Sequence, residues 1–255
     1  MTEKVVVRIE RSHPHRWEEF HVERRPNANV ISVLMQIQRN PLTADGQRTS
    51  PPSWDAACLE EVCGSCTMNV NGRVRQACSA LIDHLEQPIT LSPMKKFPLV
   101  RDLAVDRQKM FDALKRVRAW IPIDGTYDLG PGPRQAPEDQ EINYVLSTCM
   151  TCGCCLEVCP QVGESAAFIG AAAISQTRLF NNHPTGRMNA SERLRALMPE
   201  GGVADCGKAA NCVQACPKNI PLTSSIAEMA RQTTRQALRD WFFHDESKGS
   251  VITVA

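Results

Sequence analysis

Twelve of the 255 residues are cysteines, and they stand in three tight groups rather than as dispersed pairs. The first is Cys58, Cys63 and Cys66 with Cys78 following. The second is Cys149, Cys152, Cys154, Cys155 and Cys159, and the third is Cys206, Cys212 and Cys216. The opening stretch MTEKVVVRIERSH is a short apolar alternation broken by charges, not the long apolar segment of a secretory signal. The chain is therefore expected to stay on the side of the membrane where it is made. Thiols in a reducing compartment seldom form structural disulfides, and crowded spacing of this kind points to metal.

The spacing says more. Cys58-x4-Cys63-x2-Cys66, with Cys78 beyond, is the plant-type pattern for a 2Fe–2S cluster. One loop must wrap two irons, so three thiolates come from adjacent positions, and the small Gly64 and Ser65 leave room for backbone N–H groups to approach the sulfides. Counting outward from Asn71-Gly72 sets Cys66 opposite Ala77, which brings Cys78 to the loop. Zinc is the plainer alternative for such thiols. The second group reads Cys149-x2-Cys152-x2-Cys155-x3-Cys159-Pro160, the bacterial ferredoxin run whose fourth cysteine serves the other cluster. The third ends Cys212-x3-Cys216-Pro217, but Ala209 occupies the template's second cysteine position.

Exchanging the fourth members leaves unequal sets. Cys149, Cys152, Cys155 and Cys216 complete a 4Fe–4S site, whereas Cys159, Cys206 and Cys212 supply three ligands and predict a 3Fe–4S cluster. A four-iron cluster with water or another ligand on its fourth iron is the competing product. Cys154 is left over and is assigned no metal role; a thiol in such a loop is expected to be a small buried residue.

The expected architecture is α+β. Val5, Val7 and Ile9 alternate with polar neighbours, and Phe20 and Val22 do so after a turn at Ser12–Pro14. Asn29–Gln38 has helical spacing with Asn29 or Asn27 as cap, and Asn71-Gly72 between Val70 and Val74 predicts a type I′ hairpin. Ile89–Leu91 is the last strand of this first part. From about Ala104 the periodicity turns helical, with Phe111, Leu114, Val117 and Trp120 on one face as far as Pro122. Gly125–Pro137 reads as a loop, and Ser165–Phe180 as a helix stopped by Asn181-Asn182-His183-Pro184. His183 is read there as a cap or interface residue. Ser191 is expected to cap a short helix. Ser224 or Ser225 would start a final one along Ile226, Met229, Ala230, Thr233 and Trp241.

Net charge is +1 and aromatics are 5%, with no basic run interleaved with rings, so neither charge nor stacking supports nucleic-acid binding. Ser165–Ile174, the longest mostly apolar stretch, is too short to span a bilayer, so any membrane attachment is expected from a partner. There is no G-x-G-x-x-G, and no residue is assigned a catalytic role. One-electron centres in series make a relay, with the chemistry left to partners.

In this order, the three cysteine runs closely resemble those of the iron–sulfur subunit of succinate dehydrogenase and fumarate reductase, over nearly the whole chain. The resemblance implies a β-grasp 2Fe–2S ferredoxin domain, 1–104, followed by an α-helical ferredoxin domain, 105–255. It implies an FAD-bearing flavoprotein partner and a cytochrome b membrane anchor that handles quinone. Electrons would pass from flavin to Cys58, Cys63, Cys66 and Cys78. They would go on through Cys149, Cys152, Cys155 and Cys216 to Cys159, Cys206 and Cys212, at the cytoplasmic face of the membrane. The stretch from Phe168 to Gly186 is similar to the branch paired with a two-haem anchor and menaquinone. Gly163-Glu164 and Gly207 stand where the ubiquinone-linked branch has a Trp and a His, so no quinone-contacting residue is named. Succinate oxidation is the preferred direction. Fumarate reduction, and a free multi-cluster carrier, remain alternatives.

Overall fold

The computed structural model describes residues 3–122, 134–163 and 165–243. Its first half is built on the alternation of Val5, Val7 and Ile9, which form β1 (Lys4–Ser12) and pair antiparallel with β2 (His15–Glu23). The helix α1 (Val30–Arg39) follows. Asn29 caps it, its Oδ1 accepting from the Ser32 amide at 2.9 Å, while Asn27 stays outside the helix. Strands β3 (Thr67–Val70) and β4 (Arg73–Gln76) form the second hairpin, and Asn71 and Gly72 both have positive φ, as a type I′ turn needs. Strand β5 (Ile89–Ser92) lies between the hairpins, parallel to β1 and antiparallel to β3, giving the order β2-β1-β5-β3-β4. Val30, Val33, Leu34 and Ile37 of α1 share one buried core with Val7, Ile9, Phe20, Met68 and Leu91 of the sheet.

A two-stranded ribbon, β6 (Leu99–Arg101) and β7 (Ala104–Val105), leads out of this half. Between its strands Asp102 is 2% exposed at φ 49° and accepts from the amides of Ser12 and Ser53, each at 3.0 Å. Its Oδ1 stands 3.3 Å from Arg11 Nε, and Arg11 is itself buried and bonded to Glu18 at 3.0 Å. Burial works against the Asp102 charge, but the two amides and Arg11 outweigh it and hold the carboxyl below its usual range. A folded-state pKa depressed in this way stabilises above the unfolded value and loses that contribution as pH falls through the folded one. Asp102→Asn tolerates the left-handed backbone. It should cost about 1.5–3 kcal/mol at neutral pH, and urea unfolding should show that difference shrinking below about pH 4.

The second half is helical. Its elements are α2 (Gln108–Arg116), α3 (Pro137–Ser147), α4 (Cys154–Glu157), α5 (Gly170–Asn182), α6 (Ala190–Ala196), α7 (Asn211–Gln214) and α8 (Leu222–Phe242). The face expected for α2 is corrected. Met110, Ala113 and Val117 point inward, whereas Phe111 and Trp120 are each 45% exposed. The helix stops at Arg116 and Arg118 turns left-handed, so Trp120 lies beyond the helical phase that would have placed it with Val117. Of the expected loop, Gly125–Pro133 lies outside the described residues. Pro137 instead opens α3, in the first-turn position where its missing N–H costs nothing.

Helix α5 begins at Gly170, later than expected, and ends at Asn182 with His183 as its C-cap. His183 Nδ1 accepts from the amides of Thr185 and Gly186, at 3.2 and 3.3 Å. Ser191 lies inside α6, whose cap position is Asn189, and α8 starts at Leu222, ahead of Ser224. Ile226, Met229 and Thr233 of α8 are buried as expected, but Trp241 is exposed near the helix end. No helix among the described residues is long and apolar enough to cross a membrane.

The two halves touch through the second cysteine run. Glu157 accepts the amides of Lys95 and Lys96, at 2.8 and 3.0 Å, and Val74, Met94 and Phe97 belong to the helical half's apolar core.

Candidate metal centres

The loop 58–66 folds back on its own sulfurs. The amides of Glu60, Val62 and Cys63 point to Cys58 Sγ at 3.3–3.4 Å, and that of Ser65 points to Cys63 Sγ at 3.4 Å. Leu59, Glu61 and Gly64 all have positive φ, which turns successive N–H groups inward. Gly64 adopts this conformation freely, but Leu59 and Glu61 do so under strain, and a nest of amides facing thiolates is what that strain provides. Burial alone would raise the Cys63 thiol, but the Cys58 and Ser65 donors bring it down to about 6. At the hairpin base the Ala77 amide donates to Cys66 O at 3.1 Å, which sets Cys66 opposite Ala77 and Cys78 beside the loop. Burial, with Cys78 alongside, pushes the Cys66 thiol up to about 12. The Asn29 amide nitrogen donates to Cys78 O at 2.8 Å, so the helix cap also holds this end of the site.

The second and third runs repeat one backbone pattern. Thr151 and Gly153 have positive φ before α4, and Lys208 and Ala210 have positive φ before α7. Cys159 and Cys216 then close equivalent turns, their amides donating to Leu156 O and Val213 O at 3.2 and 3.3 Å. Within this repeat Ala209 stands where the second run has Cys152. Cys149, Cys152, Cys155 and Cys216 line one cavity. Cys159, Cys206 and Cys212 line another with Ala209 between them, and Cys154 lines neither.

Burial first, and then the charge of neighbouring thiols, pushes Cys155 well up; those neighbours are Cys152, Cys149, Cys216 and, from the other set, Cys212. Cys212 is raised by burial and by Cys159 and Cys206. The seven thiols thus fall into two groups, four lining one cavity and three lining the other. Among the described residues no three His, Cys, Asp or Glu side chains converge tightly enough for a single metal ion. An all-sulfur lining, four thiols around one cavity and three around the other, is a donor set that iron–sulfur clusters take.

Residues 4–112 match the family model of the 2Fe-2S iron-sulfur cluster binding domain, and residues 143–220 that of the 4Fe-4S dicluster domain. The chain is 63% identical over 228 residues to the succinate dehydrogenase iron-sulfur subunit of Bacillus subtilis, covering 89% of this chain and 90% of that one. It is 32% identical over 224 residues to the fumarate reductase iron-sulfur subunit of Wolinella succinogenes, covering 87% and 90%. The chain belongs to this family of iron–sulfur subunits.

A chain of the Mycobacterium smegmatis Sdh1 complex in the apo form has the same fold, with a TM-score of 0.74 at 22% identity over 93% of this chain and 98% of that one. The family's two kinds of domain are both present: a 2Fe–2S domain on a mixed sheet and a helical 4Fe–4S domain.

Several residues that build these centres carry no motif. Arg107 donates to Gly64 O at 2.8 Å, and Thr67 Oγ1 donates to the same carbonyl at 2.7 Å. Ser79 donates to Glu61 at 2.7 Å, pinning one of the left-handed loop residues. Each reaches the loop from a sequence-distant or polar, unremarkable position. Only the proximity of Thr67 to Cys66 could have drawn attention to it.

Proposed function

We propose that this chain is the electron-transferring subunit of a succinate:quinone oxidoreductase. It would hold a 2Fe–2S cluster at Cys58, Cys63, Cys66 and Cys78 and a 4Fe–4S cluster at Cys149, Cys152, Cys155 and Cys216. A 3Fe–4S cluster would sit at Cys159, Cys206 and Cys212. The observation that carries this reading is the repeated loop in which Ala209 replaces the second cysteine, since it leaves one corner of a cubane without a protein thiolate. The clusters, when bound, supply one-electron carriers of different potential. The order of the clusters would follow the loops: loop 58–66 lies against loop 149–159 at Gly64 and Cys152, and the fourth cysteines of the second and third runs would be exchanged between the two helical sites. We place the domain boundary at 104/105, within the short β7 that closes the ribbon and just ahead of α2, which enters the helical core.

The partners on this reading are an FAD-containing flavoprotein subunit and a cytochrome b anchor carrying quinone, menaquinone on the sequence resemblance. The chain would be peripheral at the cytoplasmic face. Leu59 and Val62, 49% and 61% exposed on the 2Fe–2S loop, give a partner an apolar surface at the electron entry point. The 63% identity to a succinate dehydrogenase subunit, against 32% to a fumarate reductase subunit, favours succinate oxidation.

Copurification of the intact complex, with iron and sulfide analysis and low-temperature EPR, tests the proposal. Roughly nine irons per chain are expected, with a three-iron signal when oxidised and a 2Fe–2S signal on reduction. Zinc in their place would sink it. Ala209→Cys should add roughly one iron to the three-iron centre and lower its potential; an unchanged three-iron EPR signal would count against the ligand set.

A further inference from the structure

Arg107 stands at the N-cap position of α2, at the entry to the helical half, and is half-buried. Its Nη1 crosses to the first cysteine loop and donates to Gly64 O at 2.8 Å. Asp106, its neighbour in sequence, is engaged elsewhere, accepting the Gln108 amide at 2.7 Å. Among the described residues no carboxylate pairs with Arg107. A guanidinium stays charged at any ordinary pH, so this is a permanent positive charge set against the loop.

The carbonyl that Arg107 holds belongs to a peptide with a second contact. Gly64 C=O and Ser65 N–H share one planar amide, and that N–H points to Cys63 Sγ at 3.4 Å. Thr67 Oγ1 donates to the same oxygen at 2.7 Å. Thr67 is held in turn by Gln76 Nε2 at 3.1 Å, an atom that also lies 3.4 Å from Cys154 Sγ. The buried Gly64 carbonyl is therefore satisfied without Arg107, and packing alone does not ask for an arginine there. Two donors on the oxygen polarise the amide and strengthen its N–H as a donor at the other end. Polar contacts thus run from the guanidinium through one peptide to the Cys63 sulfur.

We infer that Arg107 is a positioning residue that raises the reduction potential of the 2Fe–2S centre. It orients and polarises the Gly64–Ser65 peptide towards Cys63, and it sets a fixed positive charge beside the loop. The inference rests on the ligand set proposed above. Reduction adds negative charge to a cluster, so donors to a coordinating sulfur and nearby positive charge both favour the reduced form. The entry to the helical half thereby helps to set the potential of the sheet half's centre. It does so at the point where the two loops meet, since a Cβ on Gly64 would stand 2.6 Å from Cys152 Cα.

EPR-monitored redox titration of the intact complex tests this without reference to turnover. Arg107→Gln keeps an amide donor, removes the charge and alters no residue of the cluster loop. It should lower the equilibrium constant for reducing the 2Fe–2S centre about tenfold, which is about 59 mV for one electron. The four-iron and three-iron midpoints should move less. Arg107→Lys keeps the charge and should retain most of the wild-type midpoint. Arg107→His carries a charge that can be withdrawn within one folded protein. Its 2Fe–2S midpoint should fall, relative to wild type, as pH rises through about 6.5, and this arm decides the matter if Arg107→Gln loads poorly. A 2Fe–2S midpoint unmoved in Arg107→Gln, or as low in Arg107→Lys as in Arg107→Gln, overturns the inference. So does an equal displacement of all three centres, or an Arg107→His midpoint that tracks wild type across that pH range. A wild-type complex with no 2Fe–2S signal on reduction overturns the ligand set as well.

Discussion

Cys155→Ser should empty the four-iron site and loosen the helical half while leaving the five-stranded sheet folded. Cys155 is 8% exposed and sits in an apolar core with Leu146, Leu156, Ala172, Ile220 and Leu222. Cys149, Cys152, Cys159, Cys206 and Cys216 pack against that core. A helical half whose centre is made of thiols cannot close on hydrocarbon alone. Without metal, burial pushes the Cys149, Cys155 and Cys212 thiols up, so metal must displace their protons, and its binding energy becomes folding energy. Serine is close in size but a much poorer partner for iron than a soft thiolate. An unbonded hydroxyl buried there costs about 1–3 kcal/mol in addition.

The sheet half has its own core of Val7, Ile9, Phe20, Leu34 and Leu91, which contains none of these groups. Two measurements separate the outcomes. Iron should fall by roughly four atoms per chain. Amide exchange should also accelerate across α4, α5, α7 and α8 but not across β1 and β2. Full iron content with unchanged protection would remove Cys155 from the ligand set.

Local signals in the sequence proved the most legible. Asn71-Gly72 demands two left-handed residues and got them, and from that turn the register carries by simple counting to Cys66 and Ala77. Asn29 caps α1 because a short acceptor before an apolar periodic run has one good use. The template gap at Ala209 could likewise be read without coordinates. Phase was harder. On α2 the sets Phe111-Leu114-Val117 and Met110-Ala113-Val117 both have helical spacing, and larger side chains favoured the first; the surrounding core accepts the second. Helix α3 was missed because Pro137 closes a run of glycines and prolines and also suits a first helical turn. Backbone strain was invisible at Leu59, Glu61, Lys208 and Ala210, whose residue types do not ask for positive φ; the loop imposes it. The junction of the halves was least legible of all, since Gln76 and Cys154, or Gly64 and Cys152, meet only after both halves have folded.

Gly64→Ala is the second large effect expected, and it acts on that junction. Gly64 has φ 70°, so an alanine there bears the left-handed penalty of about 1–2 kcal/mol. Its methyl would also stand 2.6 Å from Cys152 Cα and 2.7 Å from Cys152 Cβ. Neither atom belongs to a flexible side-chain end, so a loop must move, and overpacking of this kind costs about 1–3 kcal/mol. Both loops resist that movement. Arg107 and Thr67 hold Gly64 O from the other side, and Glu157 ties the second loop to the amides of Lys95 and Lys96. With both loops anchored, the least costly relaxation is a small separation of the two halves. The total, about 2–5 kcal/mol, should appear as a lower unfolding midpoint. The separation should appear as a weaker magnetic interaction between the 2Fe–2S and four-iron centres and as slower electron passage between them, with all irons still bound. Wild-type spacing and stability in the alanine variant would mean that the two loops do not meet through Gly64.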